Sequence, residues 1–155
     1  MSTSRGPEER SPAAEADAPP GARRRARERA LDLLYEAEAK AIGPDEVIAG
    51  LPVPPDAYAA TLARGVAAHR GEIDALVAEA ASGWRLERMP VVDRQLLRIA
   101  VYELLERPEV PVAVVLDEAV ELAKQFSTEG SGRFVNGVLA TIAQARRRPP
   151  DERPA

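Results

Sequence analysis

The apolar residues of this chain recur at helical spacing over most of its length, and this pattern restricts the fold to packed helices. The first stripe has members at i, i+4, i+7, i+8 and i+11, as on one face of an α-helix: Ala26, Ala30, Leu33, Leu34 and Ala37. No run alternates apolar and polar residues over a length that indicates a strand. The sequence therefore predicts an all-α fold whose first helix ends near Gly43.

Further helices follow from the same periodicity and from the positions of proline and glycine. A short helix is predicted over residues 44–50, and one long helix over residues 55–81, with Gly83 as its stop signal. Residues 91–106 are apolar around most of the helix circumference, which predicts the buried centre of a bundle. Another helix is predicted with Pro111 in its first turn and Phe126 on its apolar face, and a last one with Ser131 as a candidate N-cap.

Composition divides the chain into one helical domain and two tails. Residues 1–21 are rich in proline and alanine and poor in residues that fill a core, so we expect them to be disordered. Residues 22–147 are predicted to form the domain, with halves 22–83 and 84–147, and residues 148–155 a frayed C-terminal tail.

Several classes of chemistry lack the residues that they require. The chain has no Cys and a single His, His69, which excludes thiolate sites and leaves no predicted metal site or cofactor. Asp117 and Glu118 lie together on a predicted polar helix face and are interpreted as solvated surface. No segment has the composition of a membrane span or a signal peptide. We therefore expect a cytoplasmic protein that is not an enzyme and does not bind a membrane.

A cluster of arginines opens the first helix although the net charge of the chain is −4. Residues 23–29 read RRRARER, five Arg against one Glu. Positive charges at a helix N-terminus oppose the macrodipole and repel each other at i, i+4, so the cluster favours a bound anion. Guanidinium groups beside free helix N–H groups suit phosphate. Two interpretations stay open: a nucleic-acid site, or a basic surface that only keeps the helix soluble.

A second candidate site lies at the start of the last helix, after the loop STEGSG. Phe134 falls at the edge of the predicted apolar face, so one face of its ring is expected to be exposed. Arg133 and Asn136 are close to it in sequence. An exposed aromatic ring beside such groups can stack on an unpaired RNA base and bond to it. Phe134 as ordinary peripheral core remains an equal alternative.

Four segments occur together in an order that resembles the NusB family. They are RRRARERALDLLYE at 23–36, DRQLLRIAVYEL at 93–104, VPVAVVLDEAVELAKQFS at 110–127 and RFVNGVLATIA at 133–143. The resemblance implies an all-α fold of two small three-helix bundles packed into one unit. It also implies transcription antitermination, with binding to boxA RNA and to NusE, which is also a small-subunit ribosomal protein. Other Nus factors and RNA polymerase are the wider partners that it implies.

The resemblance assigns roles to ten residues of this chain. Those expected on RNA are Arg23, Arg24, Arg25, Arg27, Arg133, Phe134 and Asn136. Those expected on the surface that faces NusE are Tyr35, Asp93 and Glu103.

Other functions remain as alternatives to this interpretation. One is a stand-alone RNA-binding module related to the N-terminal domain of ribosomal RNA methyltransferases, and another is a protein adaptor or homodimer without RNA binding. A DNA-binding helix-turn-helix fits less well, because the basic residues open a first helix instead of lining a second, recognition helix.

Overall fold

The computed structural model describes residues 20–146, and this part of the chain consists of α-helices, turns and loops, with no strand. The all-α prediction is therefore confirmed. No helix in this range is both long and apolar enough to cross a membrane. The predictions made for residues 1–19 and 147–155 lie outside the described residues. The helices are α1 Pro20–Lys40, α2 Pro44–Ala49, α3 Ala57–Ala68, α4 Arg70–Ala80, α5 Val91–Glu106, α6 Val112–Phe126 and α7 Ser131–Arg146, with a 3-10 turn at Leu86–Arg88.

Helix α5 forms the centre of the structure, as its apolar circumference predicts. Helices α1, α3, α4, α6 and α7 all pack against it. Its buried residues are not only apolar, because four polar side chains are also nearly inaccessible to solvent: Asp93, Gln95, Arg98 and Glu103. Buried polar groups need hydrogen-bonding partners, and the bonds that Asp93, Arg98 and Glu103 form with other helices fix how those helices are placed.

The single long helix predicted over residues 55–81 is wrong, because the structure divides this segment into α3 and α4. His69 lies between the two helices with φ −110° and ψ 17°, which interrupts the helical backbone. The apolar stripe continues across the break, with Val66 before it and Ile73 after it both buried. Periodicity alone therefore could not reveal the break.

Helix α3 is held close to α5 by a glycine. A Cβ atom placed on Gly65 would lie 2.3 Å from ring atoms of Tyr102, a distance that no real side chain tolerates. The start of α3 is capped by Asp56, whose carboxylate accepts hydrogen bonds from the amides of Tyr58 at 2.9 Å and Ala59 at 3.4 Å. These two features set the depth and the start of the helix that carries Tyr58.

The last two helices are joined by a short loop. Phe126, predicted on the apolar face, is the final residue of α6 and is 45% exposed. Ser131 does not precede the last helix as its cap but is the first residue of α7, and its hydroxyl bonds to the start of α5.

Candidate nucleic-acid interface

The arginine cluster at the start of α1 is split between the core and the surface. Arg23 and Arg27 are buried, whereas Arg24 and Arg25 are exposed. Both groups lie on one helix, so the difference follows from which helix face each position occupies. The cluster therefore provides structural contacts and surface charge at the same time.

Arg27 forms a buried ion pair with Glu103 of α5. Its Nε and Nη2 atoms donate to the two carboxylate oxygens at 2.8 and 2.9 Å, and the Tyr58 hydroxyl donates to the same carboxylate at 2.6 Å. Burial lowers the pKa of Arg27, but the hydrogen bond and the charge of Glu103 outweigh it and raise the pKa above its usual value. The sequence predicts an RNA contact for Arg27, yet such a contact would require this pair to open.

Arg23 lies against the ring of Tyr58. Its guanidinium carbon is 4.0 Å from the ring centroid, and that of Arg107 is 5.4 Å away. Burial raises the pKa of the Tyr58 hydroxyl, and the charge of Glu103 raises it further. Tyr58 thus stays protonated, donates to Glu103 through its hydroxyl and offers its ring to two arginines. Arg23, Arg27, Tyr58 and Glu103 are called the cationic end of α5 below.

Arg24 is held by a carboxylate of α6. Its Nε and Nη2 atoms donate to the two oxygens of Glu118 at 2.9 and 2.8 Å. The hydrogen bond from Arg24 lowers the pKa of Glu118, and its charge lowers it further. The interpretation of Glu118 as solvated surface is wrong, because only 17% of its side chain is exposed, while half of the Arg24 side chain remains in solvent.

Arg25 is the second exposed arginine of this cluster. It is exposed, and its guanidinium lies over Gly21, where a Cβ atom would be 2.8 Å from Nη1. Arg29, four residues later and partly exposed, is on the same side of α1. Arg24, Arg25 and Arg29 therefore supply the positive charge of this surface.

The second candidate site contains an aromatic residue that sequence reasoning missed. Phe134 packs partly against the core, and the ring of Trp84 stands beside it with 6.3 Å between the centroids and 54° between the planes. Trp84 is 55% exposed. The available signal was a single tryptophan placed directly after Gly83, in a loop where no core is expected. Trp84, Phe134 and the nearby Asp93 are called the aromatic end of α5 below.

Asp93 connects the start of α5 to the start of α7. Its carboxylate accepts a short hydrogen bond from the hydroxyl of Ser127 and a second from that of Ser131 at 3.0 Å. Only 3% of the residue is exposed. The family resemblance implies contact with NusE here, but the carboxylate bonds within the fold.

The remaining predicted residues lie on different faces of the molecule. Arg133 and Asn136 are both exposed, but Asn136 is two positions from Phe134 in α7 and so points in nearly the opposite direction. Of the three residues expected to face NusE, Tyr35 is exposed, whereas Asp93 and Glu103 are buried. Within residues 20–146, no group of three or more acidic or histidine side chains is arranged to hold a metal ion.

The two candidate sites are separated along α5. Glu103 belongs to the cationic end and Asp93 to the aromatic end. Ten residues of helix place them about 15 Å apart along the axis. A ligand that uses both sites must therefore be extended, as a single-stranded nucleic acid is.

Known proteins are similar to this chain in both sequence and fold. A model of the NusB family matches residues 24–144. The transcription antitermination protein NusB of Acidothermus cellulolyticus is 54% identical over 127 residues, which cover 78% of this chain and 86% of that protein.

Solved structures agree with the sequence match. The NusB structure of T. maritima superposes with a TM-score of 0.74 at 36% identity and covers 81% of this chain and 93% of its own. A complex of the antitermination factors NusB and NusE with dsRNA superposes with a TM-score of 0.64 at 30% identity, over 79% of this chain and 96% of its own. This chain therefore belongs to the NusB family of transcription antitermination proteins.

Proposed function

We propose that the protein promotes transcription antitermination by binding boxA RNA together with NusE, in an RNA polymerase complex with other Nus factors. It acts in the cytoplasm as a binding protein and not as an enzyme. Support comes from family membership and from the related NusB and NusE factors, which have been solved together with RNA.

The observation that carries the proposal is the exposed pair Arg24 and Arg25 at the start of α1. A helix N-terminus attracts anions, and one planar guanidinium group can donate hydrogen bonds to two oxygens of the same phosphate. The pair is thus suited to the backbone of RNA. Arg23 and Arg27 support it from below, because their contacts with Tyr58 and Glu103 fix the helix end that presents the pair.

The aromatic end supplies the second part of the RNA site. Phe134 offers a partly exposed ring for a base, and Arg133, the preceding residue, offers an exposed cation for a phosphate. Asn136, on another side of α7, contacts RNA only if the strand passes across the helix.

Tyr35 is the residue that we propose for contact with NusE. Its ring is exposed on α1, away from the buried partners of Arg27. Glu103 acts on that surface from inside, since it anchors α1, the helix that carries Tyr35, whereas Asp93 bonds to the start of α7.

Salt dependence tests the phosphate contacts. If the protein neutralises about four phosphates of single-stranded RNA, log affinity falls with log salt at a slope near −3, and removing one arginine from a phosphate flattens that slope by about 0.7. We expect the double variant Arg24→Gln, Arg25→Gln to flatten the slope by about 1.4. Fluorescence anisotropy of labelled boxA RNA at several salt concentrations measures it.

Arg64→Gln is the matched control, since Arg64 is equally exposed but lies on α3, where it pairs with Asp45. Its slope should equal that of the unmodified protein. A double variant with an unaltered slope would remove the cluster from the RNA site. Tyr35→Ala should weaken NusE binding. The affinity for RNA in the absence of NusE should stay unchanged.

A further inference from the structure

The surface beside Phe134 contains a pocket of about 320 Å³. Trp84, Pro90 and Phe134 form apolar walls, and Thr128 and Asp93 bring oxygen atoms to it. A volume at the low end of the range for ligand pockets suits one flat ring system and not a larger molecule.

The position of Trp84 is set by the backbone and not by burial. Gly83, with φ +89°, turns the chain after α4, and the Trp84 amide donates to the carbonyl of Ala81 at 3.2 Å. Leu86 then packs against the core two residues later. The indole is thus presented to solvent on a short, fixed segment, although burying such a ring would have stabilised the fold.

The chemistry of the pocket selects a base over a phosphate. None of the described residues that line it carries a positive charge, and the Asp93 carboxylate at its edge repels anions. The exposed Thr128 hydroxyl can accept a hydrogen bond, as the amino groups of bases require. The exposed face of an indole stacks on any base.

We propose that Trp84 and Phe134 form a subsite that takes one unpaired base of the bound RNA, with Trp84 as the stacking residue. This inference rests on the proposed function, because it assumes that RNA binds. It adds a residue and a base-binding pocket to a site otherwise defined by arginines and Phe134.

The test uses Trp84 as its own reporter, because the chain contains no other tryptophan. Labelled boxA RNA is titrated into the full chain while the anisotropy of the label and the indole emission are recorded together. Anisotropy detects binding anywhere, whereas emission detects events at Trp84. We expect the emission to be quenched with the same midpoint as the anisotropy change, and duplex RNA, whose bases are paired, to leave it unquenched.

Substitution supplies the second measurement. Loss of one stacked base costs binding about tenfold or more, which is the effect expected for Trp84→Leu. Trp84→Phe retains a ring and should recover most of the affinity. Phe126→Leu is the matched control, since it removes an aromatic ring of similar exposure that does not line the pocket. Thermal unfolding of each variant establishes that the fold is intact.

The outcomes separate the two proposals. Binding by anisotropy with unchanged indole emission, or with unaltered affinity in Trp84→Leu, would overturn the base subsite and leave RNA binding standing. No anisotropy change with the unmodified protein, with or without NusE, would remove the proposed function and this inference with it.

Discussion

The two ends of α5 differ in which side chains they bury and which they expose. At the cationic end, Arg27 and Glu103 are buried against each other, and Tyr58 completes the contact. At the aromatic end, Trp84 is more than half exposed although an indole belongs more naturally in a core. Charged groups are buried at the cationic end, whereas apolar surface is exposed at the aromatic end.

This contrast teaches where fold and function compete for the same residues. The repulsion within the arginine cluster predicts an anion, and the protein itself supplies two, Glu103 and Glu118. Part of the cluster is therefore satisfied before any ligand arrives. The indole of Trp84 contacts the Phe134 ring but is still more than half exposed, so the aromatic end retains surface for a ligand.

The largest effect is expected from Glu103→Gln at the cationic end. Removing one partner of a buried ion pair leaves the other charge uncompensated and costs about 3–5 kcal/mol of unfolding free energy. Urea denaturation followed by circular dichroism measures the loss.

Glu106→Gln is the matched control, because Glu106 is three residues further along α5 and its side chain is 42% exposed. Its stability should hardly change. If Glu103→Gln were no more damaging than this control, the cationic end would not be a structural element, and the contrast between the two ends would disappear.

The next largest effect is expected from Tyr58→Phe. The ring stays in place for Arg23, but the Glu103 carboxylate loses the hydrogen bond of 2.6 Å. A hydrogen bond to a charged group contributes about 1.5–3 kcal/mol, so the same denaturation experiment should show a loss of this size. Tyr35→Phe removes an exposed hydroxyl and should change nothing; equal stability of the two variants would contradict a role for the Tyr58 hydroxyl.

Helix content was readable from the sequence, but helix breaks and distant partners were not. The apolar circumference of residues 91–106 predicted α5 correctly, because a helix that is buried on all sides carries apolar residues on all sides. The break at His69 was missed because α3 and α4 keep one apolar phase. The ion pairs lie far apart in sequence: 76 residues separate Arg27 from Glu103, and 94 separate Arg24 from Glu118. No local sequence pattern could therefore predict them.

The candidate site, too, could be predicted only in part from the sequence. Clustered charge made the arginines visible, but which of them are buried depends on the helices that pack against α1. Trp84 belongs to a loop, where periodicity carries no information, and only the fold brings it beside Phe134.

A smaller effect, on RNA affinity and not on stability, is expected from Glu118→Gln. The Glu118 carboxylate occupies the guanidinium of Arg24 that we propose for phosphate. Removing its charge frees Arg24, and since partly exposed ion pairs contribute about 0.2–1 kcal/mol, RNA should bind roughly 1.4- to fivefold more tightly. Asp117→Asn removes the same charge from the neighbouring position and is the control in the anisotropy titration. Equal gains in both variants would indicate general repulsion in place of competition for Arg24.

The smallest effect is a difference in acid sensitivity between two carboxylates, one towards each end of α5. Hydrogen bonds from Arg94 and Arg24 lower the pKa values of Glu38 and Glu118 below the ordinary value of 4.5. A carboxyl group with a depressed pKa stabilises the folded state fully above its unfolded value, and this contribution is lost as pH falls through the folded pKa. We therefore expect the stabilisation from these groups to be constant above about pH 5 and the unfolding free energy to decline below it.

Glu38→Gln should reduce that decline more than Glu118→Gln does. The Arg94 side chain that holds Glu38 is 14% exposed, whereas that of Arg24 is 50% exposed, so solvent screens the second pair more strongly. Urea denaturation at a series of acidic pH values measures both slopes, with the exposed Glu121→Gln as the reference variant. The reverse order would mean that exposure does not govern the strength of these pairs.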